Sequence, residues 1–218
     1  NTNANETLEV LNITSGGSTG NDFALDATDG DVVLDTVNLL GDQNLTMRVV
    51  SDDVNGITVV GSANTATTEV IIDRNGVTPA TNVLNFDGID VISVKDGTSP
   101  AVGGDAGSLT GVKSGQTVQF LDDLGATTIT GSAVSGSSDS MTIILDNESS
   151  ATDLDMTSLD IQNVETVTIQ SSGNVSTSTT AQNLIDDFTG DATTITVTGD
   201  TSIDLDLNID APSSGSRS

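Results

Sequence analysis

The chain contains no cysteine, histidine, tyrosine or tryptophan. Without cysteine there are no disulfides and no thiol chemistry. Cysteine-free chains are common among secreted bacterial surface proteins, so this absence does not argue for the cytoplasm. Without histidine, cysteine or tyrosine, many of the usual general bases and nucleophiles are missing. Aromatic residues make up 2%, all of them the 4 phenylalanines, which leaves almost no platform for stacking a sugar ring. Basic residues are also scarce: Lys+Arg is 5 against Asp+Glu 32, a formal net charge of -27. No basic surface exists to neutralise phosphates, which argues against nucleic acid and bare anionic membranes as partners. No apolar run reaches the roughly 18 residues of a membrane-spanning helix, so membrane insertion is not expected.

The 218 residues that remain to be explained can bury a real core as one or two domains. Hydrophobic content is 34%, mostly Val, Ile, Leu and Ala, which suits thin, regular β layers. Five of the 32 acidic residues are Glu (Glu6, Glu9, Glu69, Glu148, Glu165), so aspartate dominates. Aspartate is a turn former, and this chain has many turns. It is also the ligand of tight, oxygen-rich calcium loops. Both readings stand, beside a halophilic origin, and the charge favours divalent cations or a saline milieu.

Stretches rich in β-branched residues recur about every ten residues: Thr7–Thr14, Val32–Leu40, Leu45–Val50, Gly56–Val60, Glu69–Asp73, Val83–Phe86 and Ile89–Val94, then Thr117–Leu121, Thr127–Thr130, Met141–Asp146, Leu154–Ile161, Val164–Gln170, Thr193–Thr198 and Ser202–Ile209. Gly, Asn, Asp and Ser turns separate them. A single helix is expected over Ala181–Phe188, with Thr180 as cap and Leu184, Ile185 and Phe188 on one face.

One phrase repeats. Asn163-Val164-Glu165-Thr166-Val167-Thr168-Ile169 matches Gly88-Ile89-Asp90-Val91-Ile92-Ser93-Val94 and, more loosely, Glu6–Val10. As a strand it would turn Val164, Thr166 and Thr168 one way and Glu165, Val167 and Ile169 the other. The aligned acids at 6, 90 and 165 are 84 and 75 residues apart. A second phrase, Gly190–Gly199, echoes Leu124–Gly131 and less closely Gly41–Val49. The Thr-x-Thr-x-Thr pattern predicts Thr and Val ladders between stacked turns. The fold expected is all-β, a parallel β-solenoid or β-helix built from repeated modules, with tandem β-sandwich domains as the alternative. The modules expected are 1–88, 89–163 and a partial third at 164–211, with 212–218 a linker or appended tail. There is no signal peptide at Asn1, and the chain begins almost inside a repeat phrase, as expected of a piece of something longer.

The candidate metal ligands are aspartates in turns. Asp26, Asp29 and Asp31 surround Gly30 without EF-hand spacing. Asp52-Asp53, Asp122-Asp123 and Asp186-Asp187 are adjacent pairs whose mutual repulsion a cation would relieve, provided a turn makes them converge. Asp105 lies in Gly103–Leu109. Each has an ordinary alternative as a solvated turn. Asp204 and Asp206 alternate with Ile203, Leu205 and Leu207 and read as the solvent face of a strand. Sequons at Asn5, Asn12, Asn44, Asn147 and Asn174 matter only where the source glycosylates asparagine. No catalytic residue is proposed. A carboxylate pair for glycoside hydrolysis or a β-helix lyase is the weakest expectation, since basic residues are scattered.

The phrase Asn163–Ile169 resembles the N-[VI]-E-T-[VLI]-x-[VLI] strand of bacterial surface-layer proteins, the type I-secreted, cysteine-free, Asp/Gly/Thr-rich family of the Caulobacter type and its related repeat adhesins. Phe188–Asp200 is similar to the companion phrase of such chains. The resemblance implies an extracellular structural protein that assembles with itself into a two-dimensional lattice, ordered by calcium, with cell-surface polysaccharide a further expected partner. A stalk or repeat domain of a secreted adhesin is the alternative. One departure is plain. Family members usually carry G-G-x-G-x-D-x-U-x calcium repeats, and Gly103–Leu109 starts that pattern and then loses it. Any calcium is therefore expected in irregular loops.

Overall fold

The computed structural model describes residues 8–25, 34–50, 57–74, 83–96, 107–131, 138–147, 154–173 and 183–208. In these residues there are only strands and their connections. In chain order they are β1 (Val10–Ser15), β2 (Asn21–Leu25), β3 (Thr36–Gly41), β4 (Leu45–Val50), β5 (Thr58–Val60) and β6 (Thr68–Arg74). Next come β7 (Val83–Asp87), β8 (Val91–Asp96), β9 (Gly107–Val112), β10 (Thr117–Phe120), β11 (Leu124–Gly131) and β12 (Ser140–Asn147). The last are β13 (Asp155–Gln162), β14 (Thr166–Gly173), β15 (Asn183–Gly190), β16 (Thr194–Gly199) and β17 (Ile203–Leu207).

Successive strands alternate between two sheets. The odd strands form a nine-stranded sheet and the even strands an eight-stranded one, each in sequence order. Every pairing is parallel. Parallel neighbours cannot be joined by a hairpin and need a crossover. Here the crossover is the strand of the opposite sheet, so two strands make one coil and each coil stacks on the last. This is a β-solenoid. Tandem sandwiches, the alternative expectation, are excluded, because a sandwich of that kind is made of antiparallel strands.

Side-chain alternation builds the core. In the eight-stranded sheet one register column runs Phe23, Met47, Val70, Ile92, Val118, Ile143, Ile169, Val197. From Met47 to Ile169 every member is 0% exposed. A second column runs Leu25, Val49, Ile72, Val94, Phe120, Leu145. They meet the inward residues of the other sheet, among them Leu39, Val59, Ile129, Ile161 and Phe188. β-Branched side chains fit such pleated, laterally stacked columns. The expected Thr ladder is present on the outside, where Thr117, Thr142, Thr168 and Thr196 are in register.

The repeated phrase is a corner. Gly88 and Asn163 occupy equivalent positions with φ of 70° and 61°, the left-handed region that glycine and asparagine tolerate. Each turns the chain from the nine-stranded to the eight-stranded sheet. The next residues, Ile89 and Val164, are 0% and 2% exposed. The 75-residue interval between Asp90 and Glu165 is three coils, from β8 through β10 and β12 to β14. The copy at Glu6 lies outside the described residues.

Three expectations are corrected. Val164 does not share a face with Thr166 and Thr168: the strand starts only at Thr166, and the corner carries Val164 inward. Residues 183–190 are strand β15, not helix. The helical spacing of Ile185 and Phe188 comes from an irregularity in which Asp186 and Asp187 face the single residue Asp206. Finally, Leu124–Gly131 and Gly190–Gly199 are not equivalent, since the first is β11 in one sheet and the second crosses into β16 in the other. The true counterpart of Gly190–Gly199 is Gly41–Val49, which turns the same corner into β4.

Candidate functional site

Six of the ten predicted metal ligands, Asp26, Asp29, Asp31, Asp52, Asp53 and Asp105, lie outside the described residues. The other four are placed. Asp122 and Asp123 form the short turn between β10 and β11. The Asp123 N–H donates to the Asp122 carboxylate at 3.0 Å, and the Asp123 carboxylate accepts the Asp155 N–H at 2.9 Å. Asp186 and Asp187 sit side by side in β15, at the irregular position opposite Asp206. Among the described residues no three or more acidic side chains are grouped to hold a metal ion.

What the described carboxylates do instead is join coils. The Asp90 carboxylate accepts the Thr68 N–H at 2.8 Å and the Thr68 hydroxyl at 3.0 Å, one coil back. Glu165 accepts the Asp139 N–H at 3.0 Å, again one coil back. Asp191 accepts the Asn163 N–H at 2.9 Å. These N–H groups lie at strand ends, Thr68 as the first residue of β6 and Asp139 and Asn163 one residue outside β12 and β13, and an unpaired backbone donor there is costly. Asn183, 3% exposed, does similar work inside. Its amide donates to the Ser171 hydroxyl at 2.9 Å and the Ser172 carbonyl at 3.1 Å, and it accepts the Leu154 N–H at 3.2 Å. The recurrence of an acid at 90 and 165 is the mark this role leaves in the sequence.

An open, polar cleft of about 440 Å³ lies beside the corner at Gly88, lined in part by Ser62, Asn64, Thr65, Thr67 and Asp90. Asp90 is its one carboxylate, already bonded to Thr68, and no second titratable side chain lines the cleft.

The two outer surfaces differ sharply. On β10, β12, β14 and β16 the outward residues form three central columns: Ser140, Thr166, Thr194; Thr117, Thr142, Thr168, Thr196; and Gln119, Ile144, Gln170, Thr198. None is charged. On β13, β15 and β17 the outer surface carries Asp155, Asp160, Asp186, Asp187, Asp204 and Asp206, all partly or fully exposed. Large apolar side chains are exposed at the terminal strands and beside them, with Leu8 at 47%, Val10 at 48%, Val197 at 48% and Leu207 at 46%.

No family model, no curated protein and no solved structure matches this chain.

Proposed function

We propose that this chain is a structural, non-catalytic domain of a bacterial cell-surface layer that assembles with further copies of itself. One observation carries the reading. The acidic side chains Asp90, Asp123, Glu165 and Asp191 are bonded to backbone N–H groups of neighbouring coils. That is a scaffold's use of carboxylates: it fixes coil on coil. A catalytic pair would instead face one cleft at a set distance. The surface-layer and extracellular parts of the proposal rest on the resemblance of Asn163–Ile169 and on the composition. The calcium part rests on the charge of -27, which opposes close approach of copies, and on aspartates outside the described residues.

A second reading, a stalk of a secreted adhesin, is favoured by the unbroken stacking, because coils that contact only their neighbours extend into a spacer. Light scattering and electron microscopy of the purified chain, with calcium and with chelator, separate the two. Ordered sheets or large particles that form with calcium support the surface-layer reading. A single species under both conditions supports the stalk and rejects the layer.

A further inference from the structure

The two ends of the solenoid leave four strand edges open. They are β1 and β17 in the nine-stranded sheet and β2 and β16 in the eight-stranded one, each with no described strand on its far side. The core is open there too. In the column that is 0% exposed from Met47 to Ile169, the last member, Val197, is 48% exposed, because no described strand stacks on it. Open edges pair with other chains, and proteins usually blunt them with charge or proline. β16 (Thr-Ile-Thr-Val-Thr-Gly) and β1 (Val-Leu-Asn-Ile-Thr-Ser) carry neither, in a chain of net charge -27. We propose that a second copy of the chain stacks end on, turned by half a turn about the solenoid axis, so that its β1 pairs with β16 and its β2 with β17; the inference rests on the self-assembly reading above and names the contact.

The strand count dictates the half-turn. Strands alternate between the sheets, and there are 17 in the described residues. After β17 the next vacant place is therefore in the eight-stranded sheet, beside β16. A copy added without rotation would set β1 on β17 and leave that place empty. The chain runs out along one sheet and back along the other, so a half-turn carries the position and direction of one sheet onto those of the other. β1 then fills the vacant place parallel to β16, and β2 follows parallel to β17.

The edges that meet also match. β16 and β1 are each 6 residues long, and β17 and β2 are each 5. Aligned residue for residue, the partly buried Leu11 and Ile13 continue the inward rows of Ile195 and Val197, and Phe23 continues that of Leu205. Parallel strands give about one main-chain bond per aligned position, hence about ten in all, the number a typical stable interface carries. Outside, Thr196 meets Asn12, both exposed and uncharged. Acids meet only where Asp22 comes beside Asp204, a repulsion that salt screens. Every junction within the solenoid is built the same way, so the contact continues an interface the chain already contains. Being head to tail, it does not close, and it generates a filament. Half the strand spacing of about 4.8 Å, taken over 17 strands, gives a rise of about 40 Å per copy.

The experiment is sedimentation of the full chain over a wide concentration range at low and high salt, with electron microscopy of the associated material. The parent is compared with Asn12→Asp/Thr196→Asp, which sets like charges opposite each other across the junction. It is also compared with the charge pair Asn12→Lys/Thr196→Asp, and with a control of equal added charge on inner coils, Thr117→Asp/Thr168→Asp. Circular dichroism checks folding, and Asn12→Lys/Thr196→Lys replaces the first variant should that one unfold. The expected result is concentration-dependent association of the parent into thin filaments with a rise of about 40 Å per copy, stronger at high salt. The like-charge variant weakens it about tenfold or more, the opposite-charge pair restores it, and the control changes it little. Association of the like-charge variant equal to the parent's, or a closed dimer in place of filaments, overturns this contact and leaves self-assembly standing. A parent chain that stays single throughout overturns both.

Discussion

The threonine face of β10, β12, β14 and β16 and the aspartate face of β13, β15 and β17 belong to the same stretch of solenoid, yet they carry opposite surfaces. Inside, the two sheets share one rule: β-branched and apolar residues at every second position. Outside, the pleat fixes only that a residue points away. What that residue is depends on what it meets. Carboxylates on adjacent strands, about 5 Å apart, repel by about 0.8 kcal/mol in water, a cost that a freely solvated face tolerates and a packed one does not. The inner positions therefore report the fold, and the outer ones report the surroundings.

The largest effect is expected where inside and outside touch. Ile143 is 0% exposed and Ile144 beside it faces out. Ile143→Ala is expected to cost about 2–4 kcal/mol and Ile144→Ala, which is only partly buried, about 1 kcal/mol, read from urea unfolding. Equal losses would place Ile144 in the interior. Gly190 follows, with φ of 139° and no room for a Cβ, which would overlap the Ile161 carbonyl oxygen of the preceding coil. Gly190→Ala is expected to cost about 2 kcal/mol by the same measurement.

Thr127 sharpens the rule from the other side. It is 2% exposed, and its hydroxyl has no hydrogen-bond partner among the described residues. Thr127→Val keeps the shape, removes the orphaned group and is expected to stabilise by about 1 kcal/mol. Loss of stability would mean the hydroxyl is satisfied. The smallest effects belong to the faces. Asp187→Asn with Asp206→Asn should raise stability by a few tenths of a kcal/mol at low salt, and the gain should vanish at high salt. A gain that persists in salt would have a cause other than charge.

Much of this was legible in the residues. Strands with alternating Val, Ile and Thr, such as β4, β12 and β14, stand out, and the Thr-x-Thr pattern pointed to stacked coils. β2, Asn-Asp-Phe-Ala-Leu, has one strong strand former and passes for loop. β9 opens on Gly107 and contains Gly111, so it reads as a turn region. β15 imitates a helix because one extra residue, in the pair Asp186-Asp187 opposite Asp206, stretches the apolar spacing from two to three. The acidic bonds were hidden for a different reason. Asp90 reaches a partner 22 residues away and Glu165 one 26 residues away, about one coil, while the visible repeat spans three. The difference between the faces was present in the letters too, but only the pairing register gathers threonines 117, 142, 168 and 196 into one row.

The acid at the corner also bears on how such a chain can change. Asp90 and Glu165 each reach back to the adjoining coil and no further. No bond of this type refers to the total number of coils. A coil, or a block of three, can then be duplicated or deleted with its own acid and corner residue, and the new junction is made of the same parts as the old. Length in this architecture is a heritable variable, adjustable in whole coils without redesigning any contact.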